Sequence, residues 1–295
     1  MPIPHLRFTL FHGKEVSHQP MVGDMSDEIT QNEFMISLTD LAASLNITIQ
    51  ALHKYLKSNT LPAHLIGNRA YLTPETVRKV FEGRGIGYKK LTLSFQMLKG
   101  GVAKTTTAMN IGLRANMYGV RVLLIDLDQQ ANLSFALGFE DPDAPVWTDI
   151  LEGRARIQDT IRKISPSLHL IPSNLNNSIC DRILLNGKRN VAAGVNQYLS
   201  LIRNDYDLIL IDTAPNLSAI NTAASCASDL VILPVNPDKF SFSGLTKTLD
   251  DLRKIKNEFQ ANFEPKILFT KFDCRETASH ELLKLCFANF SDNML

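Results

Sequence analysis

The sequence predicts an α/β domain built on a mainly parallel sheet, preceded by a small helical winged helix-turn-helix domain. Three observations lead there. Beyond residue 90, apolar runs recur at 91–98, 120–125, 168–171, 208–211, 230–235 and 266–269, with helical segments between many of them. Runs with so few polar interruptions suit strands buried on both faces, the habit of parallel sheets covered by helices. Before residue 90 the apolar residues follow short helical spacings instead, and Gly83, Gly85 and Gly87 mark a flexible joint between the two patterns.

Residues 1–32 mix prolines and glycines with scattered polar residues and read as a tail, with a short strand at 6–11 as the competing reading. The first domain takes residues 33–88. Ser37 and Asp40 have capping-box-like spacing, and Leu38, Leu41, Ala42 and Leu45 make one apolar face. After Asn46 and Ile47, Thr48 caps a second helix on which Ile49, Leu52, Tyr55 and Leu56 recur at helical spacing. Gly67 and Asn68 sit between two apolar stretches, as in a small hairpin, and Thr73-Pro74 caps a further helix through Phe81.

This is the spacing of a helix-turn-helix with a wing. The second helix would present Thr48, Gln50, Ala51, His53 and Lys54 to a major groove, with Lys57 and Arg69 suited to phosphates. The region also carries a local basic excess. Lys54, Lys57, Arg69, Arg78, Lys79, Arg84, Lys89 and Lys90 outnumber Glu33, Asp40, Glu75 and Glu82, about four net positive charges in a chain whose total is +1. A three-helix dimerisation module without DNA contact is the competing reading.

The chain has 295 residues, 44% hydrophobic and 21% charged, the composition of an ordinary globular protein with room for two domains. No apolar run approaches the roughly 20 residues that span a bilayer, and no secretory leader is visible, so a cytoplasmic protein with no membrane partner is expected. Cys180, Cys226, Cys274 and Cys286 lie far apart without a CxxC pair, which signals neither a zinc site nor a disulfide framework.

The second domain, residues 89–295, carries the chemistry. Its first strand runs into Lys99, Gly100, Gly101, Val102, Ala103, Lys104, Thr105 and Thr106, followed by a helix over 107–118 that Gly119 ends. A strand, a glycine-rich loop and a helix N-terminus aim backbone N–H groups at one point, which suits a polyphosphate. Lys104 would hold the β- and γ-phosphates and Thr105 would ligate Mg²⁺. The strict pattern GxxxxGK[ST] is not met, since Leu98 and Ala103 stand where its glycines belong. Asp126 and Asp128 close one apolar strand and Asp212 closes another, and ligands of parallel sheets gather beyond the carboxyl ends of strands. Together the three strand ends define a P-loop NTPase domain.

The segments KGGVAKTTT, LLIDLDQQANLS and LILIDTAP resemble the deviant Walker A, Walker A′ and Walker B motifs of ParA-type partition ATPases, with weaker similarity over 230–238 and 269–275. With the helix-turn-helix, the chain resembles the larger plasmid-type members, which also repress their own operon. The resemblance implies ATP and ADP as ligands with Mg²⁺, and an ATP-sandwiched homodimer in which Lys99 reaches the partner's phosphates. By the same analogy Asp128 orients the attacking water, Asp212 holds Mg²⁺ through water, and Asp126 supports the metal site. It implies slow hydrolysis stimulated by a centromere-binding ParB-like protein, contact with operator and non-specific DNA, and nucleoid association. Three departures stand out: Ala103 for glycine, Gln129 for the usual proline after Asp128, and an ending at Leu295 where relatives continue through another strand and a helix. The alternative expectation is a nucleotide-responsive repressor with vestigial ATPase activity.

Overall fold

The computed structural model describes residues 34–186 and 190–295. Both readings of the first 32 residues lie outside them. The described residues form one compact unit.

Strand β1 (Ile36–Ser37) leads directly into α1 (Leu38–Ser44), because extended Ser37 accepts the Asp40 amide with its side chain. α2 (Ile49–Ser58) opens in the same way, with Thr48 accepting the Ala51 amide. The buried residues Leu38, Leu41 and Ala42 of α1 and Leu52 and Leu56 of α2 share one small core with Val77 and Val80 of α3 (Pro74–Gly83). Between them β2 (His64–Ile66) and β3 (Arg69–Leu72) pair antiparallel around Gly67, whose φ of 60° the turn requires. β1 pairs with the free edge of β3, so the sheet has three strands where the sequence signals a two-stranded hairpin. Two residues are too few for any alternation to show.

The main sheet has seven strands: β4 (Leu91–Phe95), β5 (Val122–Asp126), β6 (Arg162–Ser165), β7 (Leu168–Ile171), β8 (Leu208–Asp212), β9 (Leu230–Val235) and β10 (Glu264–Phe269). Their order is β10-β9-β4-β8-β5-β7-β6, parallel throughout except for β6. The expected parallel sheet is therefore present, with an antiparallel edge strand that the sequence conceals. β6 reads Arg-Lys-Ile-Ser and lies half exposed, so it lacks the apolar run that marks the others.

Alternation along β5 shows why the strands read as continuously apolar. Leu123 and Ile125 enter one core, with Trp147, Val195 and Ile220, while Val122 and Leu124 enter another on the opposite face with Ala108. α4 (Lys104–Met117) covers the second face and passes close over the sheet. A Cβ on Gly112 would meet Leu124 Cδ2 at 3.1 Å and Leu210 Cδ1 at 3.2 Å. α5 (Asn132–Ala136), α6 (Trp147–Glu152) and α7 (Ile157–Thr160) follow β5; α8 (Cys180–Asn186), α9 (Ala193–Leu199) and α10 (Ala219–Cys226) supply the first core. α11 (Lys239–Phe259) and α12 (Thr277–Phe290) pack Leu245, Leu249, Leu252 and Leu282 against Val231, Leu233 and Val235.

The small module does not hang on its glycine joint as the sequence suggests. Asp207 receives Arg78 of α3 at 2.6 Å and Arg121, just before β5, at 2.8 Å. Arg78 also donates to the Gly119 carbonyl at 3.0 Å, and Tyr88 donates to the Tyr118 carbonyl at 2.9 Å. Gly119 has φ of 80°, and a Cβ there would lie 2.7 Å from the Arg78 backbone nitrogen, so both the helix stop and the docking demand glycine.

Candidate nucleotide-binding site

The site forms where β4, β5 and β8 end. The phosphate loop between β4 and α4 has left-handed backbone at Gly101 (φ 72°) and at Ala103 (φ 70°), with Val102 fully buried between them. The left-handed turn at 103 explains why glycine is the expected residue, and alanine tolerates it at a cost of about 1 kcal/mol. Two of the loop's carbonyls are held by side chains from beyond β9 and β10. Lys271 Nζ donates to the Gly101 carbonyl at 2.8 Å and Thr270 Oγ1 to that of Val102 at 3.1 Å, with Asn236 Nδ2 also on Gly101 at 3.3 Å.

Ala103 caps α4 without a side-chain hydrogen bond, so the first amides of the helix, at Lys104, Thr105 and Thr106, have no capping acceptor. A 14-residue helix thus begins three residues earlier than the Thr at 107 suggests, and presents open N–H groups and a positive dipole end.

Beside that helix end lie three carboxylates and one ammonium. Lys104 is only 7% exposed; burial lowers its pKa, and the carboxylates of Asp212 and Asp128 partly offset this. Asp126 and Asp212 are direct neighbours across β5 and β8 and are fully buried. Burial first, and the adjacent Asp126 second, push the Asp212 carboxyl up to about 7. Burial raises Asp126 to about 6 against the opposing hydrogen bonds from Ser134.

The three acids differ in their contacts. Both oxygens of Asp126 are engaged, Oδ2 by the amide and hydroxyl of Ser134 at 2.9 and 2.8 Å and Oδ1 by the Asp128 amide at 3.1 Å. Asp128 bends back on its own turn, accepting the Gln130 amide at 3.0 Å, and its carbonyl receives Ser173 Oγ at 2.7 Å. Asp212 Oδ2 accepts Thr105 Oγ1 at 2.6 Å, whereas its Oδ1 is buried without a partner.

That orphaned oxygen tests the fit of a cation. A buried carboxylate with an unsatisfied oxygen next to a threonine hydroxyl, in a site with more acids than bases, fits Mg²⁺, which favours a few hard oxygen ligands together with water and phosphate. Among the described residues no group of three or more His, Cys, Asp or Glu is placed to hold a metal unaided. Thr105 and Asp212 are the residues that would hold it, with Asp126 bracing the Asp128 turn.

Lys104, Thr105, Asp126, Asp128 and Asp212 are brought together as the sequence implies, but Lys99 is turned aside. Its ammonium lies 2.6 Å from both oxygens of Asp238. Motif reading missed Ser134, which holds Asp126, and Ser173, which holds the Asp128 carbonyl, and it assigned no role to Asn236, Thr270 and Lys271, which hold the loop. The weaker similarity over 230–238 and 269–275 was the signal that covers the last three.

Of the residues assigned to DNA, Gln50, His53, Lys54, Lys57 and Arg69 are exposed. Thr48 is exposed too, but its oxygen is engaged as the α2 cap. No helix among the described residues is long and apolar enough to cross a membrane.

The order of strands, the loop and the acids at neighbouring strand ends define a P-loop α/β protein. A family model described as "AAA domain" matches residues 90–265. The chain is 32% identical over 201 residues to the chromosome partitioning protein ParA of Caulobacter vibrioides, covering 66% of this chain and 75% of that protein. Two uncharacterised Mycobacterium tuberculosis proteins are 32% identical over 200 residues, 66% of this chain, and the chain spans 62% of their length. Among solved structures, Mycobacterium smegmatis cobyrinic acid a,c-diamide synthase with bound ADP and magnesium superposes with a TM-score of 0.64 at 26% identity, over 68% of this chain and 82% of that one. A Borrelia burgdorferi plasmid partition protein gives 0.58 at 26% identity, over 70% and 89%. The chain belongs to the ParA family of partition ATPases.

Proposed function

We propose that this chain is a MgATP-dependent DNA-partition ATPase that binds DNA and represses its own operon through its N-terminal module. The observation that carries this reading is the pairing of open α4 amides and buried Lys104 with Thr105 and the half-satisfied Asp212. The open amides and Lys104 cradle the β- and γ-phosphates, and Thr105 and Asp212 hold the cation. Mg²⁺ bound there neutralises charge on the phosphate oxygens. Asp128 orients the attacking water, and Lys99 reaches the phosphates of a second copy in an ATP-sandwiched homodimer. Such catalysis is positioning and charge stabilisation, so hydrolysis is slow until a ParB-like centromere-binding partner and DNA stimulate it. The protein works in the cytoplasm on nucleoid DNA. The relatives whose names speak of chromosome or plasmid partition support this role.

A second reading, a nucleotide-responsive repressor with vestigial hydrolysis, is favoured by one contact. α4 begins at Lys104, and at its other end Met117 and Tyr118 pack on the module's core, with Tyr118 Oη 2.8 Å from Ser44 Oγ. One rigid element thus joins the phosphate loop to the module. Titration with MgATP, followed by hydrolysis with DNA and a cognate partner protein, tests both. Lys104→Ala should weaken ATP binding by at least about 100-fold, a loss of about 2.7 kcal/mol; wild-type binding in that variant would sink both readings. Stimulated turnover in wild type favours partition, whereas operator protection that follows nucleotide without turnover favours the repressor.

A further inference from the structure

Lys99 and Asp238 form a contact that the proposed chemistry does not use. An ammonium has three N–H donors. All three are satisfied within the chain: Asp238 Oδ1 and Oδ2 each lie 2.6 Å from Lys99 Nζ, and Ser241 Oγ lies 3.2 Å away. None is left for a phosphate.

The acceptor is itself fixed. Asp238 is the N-cap of α11, where its Oδ1 accepts the Ser241 amide and its Oδ2 the Ser241 hydroxyl, each at 2.9 Å. Burial by itself would raise the Asp238 carboxyl, but the hydrogen bonds from Lys99 and Ser241 outweigh it and hold the group below its ordinary value. α11 lies against the start of the loop at Gly244, where a Cβ would stand in ordinary contact with Met97 Cε at 3.4 Å and Lys99 Cβ at 3.8 Å. The pair is also breakable, since the side chains of Lys99 and Asp238 are 30% and 37% exposed.

We propose that Asp238 is a positioning residue that parks Lys99 on its own subunit, so that breaking this ion pair opposes formation of the nucleotide-bridged dimer. The proposal rests on the reading of Lys99 as the lysine that crosses to a second copy. An exposed pair of this kind lowers the fraction of free lysine about two- to fivefold. Two pairs break per dimer, so the dimer dissociation constant should be about 4- to 25-fold higher than without them.

The test is sedimentation of the full chain with Mg²⁺ and a non-hydrolysable ATP analogue. Asp238→Asn keeps a good helix cap and removes the charge, and Asp238→Ser does the same with a shorter side chain. Both should tighten the dimer by about 4- to 25-fold, while Asp238→Glu, which restores the carboxylate, should stay within about twofold of wild type. If Asp238→Asn and Asp238→Ser dimerise no more tightly than wild type while Lys99→Gln abolishes dimerisation, the parking role is wrong and the crossing role stands. If Asp238→Glu follows the uncharged variants, the cap and not the charge governs, which also overturns it. A Lys99→Gln variant that dimerises like wild type overturns the crossing reading and this proposal with it.

Discussion

Asp126 shows how one carboxylate among three acquires a different task. Its fully buried side chain accepts from Ser134 twice and from the Asp128 amide once, so it sets the turn on which Asp128 stands. Asp126→Ala would strand buried donors of Ser134 and Asp128 and should cost about 2 to 4 kcal/mol in urea unfolding of the ligand-free protein. Asp126→Asn keeps one acceptor oxygen and should cost less. The sequence names Asp126 readily, because an acid ending an apolar strand is conspicuous. It does not say that Ser134, eight residues on, would claim that acid, since such a contact depends on where α5 begins.

At the scale of elements, the module is joined to the main sheet through the start of β8. Asp207, just before that strand, accepts Arg78 on Oδ2, the Arg121 guanidinium on both oxygens, and the Arg121 amide on Oδ2 as well. Burial alone would raise its carboxyl, but these hydrogen bonds from Arg121 and Arg78 prevail and hold it at about 2. The folded pKa lies below the unfolded value of about 3.9, so this stabilisation is complete above about pH 4 and is lost as pH falls towards about 2. The difference in unfolding free energy between wild type and Asp207→Asn should therefore be constant from pH 5 to 7 and shrink below about pH 4. Urea titrations across that range would measure it. α4 is the other joining element, ending at Met117 just before left-handed Gly119, where the approach of Arg78 leaves no room for a Cβ.

For the whole molecule, the proposed DNA function makes a prediction about salt. Lys57 sits exposed near the end of α2. If it contacts a phosphate, Lys57→Ala should weaken binding to all sequences alike and reduce the slope of log K against log salt by about 0.9. Gln50→Ala should instead relax sequence preference and leave that slope unchanged. Footprinting and fluorescence titration at several salt concentrations would separate the two.

Much of this molecule was legible in its residues because the signals are local. Apolar runs gave the parallel strands, Ser37, Thr48 and Thr73 gave the helix starts, and the loop from Lys99 to Thr106 with Asp126, Asp128 and Asp212 gave the residues of the candidate site. Tertiary structure alone decided what depends on distant partners. It paired the polar edge strand β6, replaced a flexible joint by the Arg78–Asp207–Arg121 clamp, and divided three similar acids into brace, turn residue and half-satisfied carboxylate. It also set Lys99 on Asp238, 139 residues away. Periodicity and motif spacing report what a chain does within a few turns of itself, whereas hydrogen-bond partners of buried charges are chosen by which strand ends the sheet places side by side.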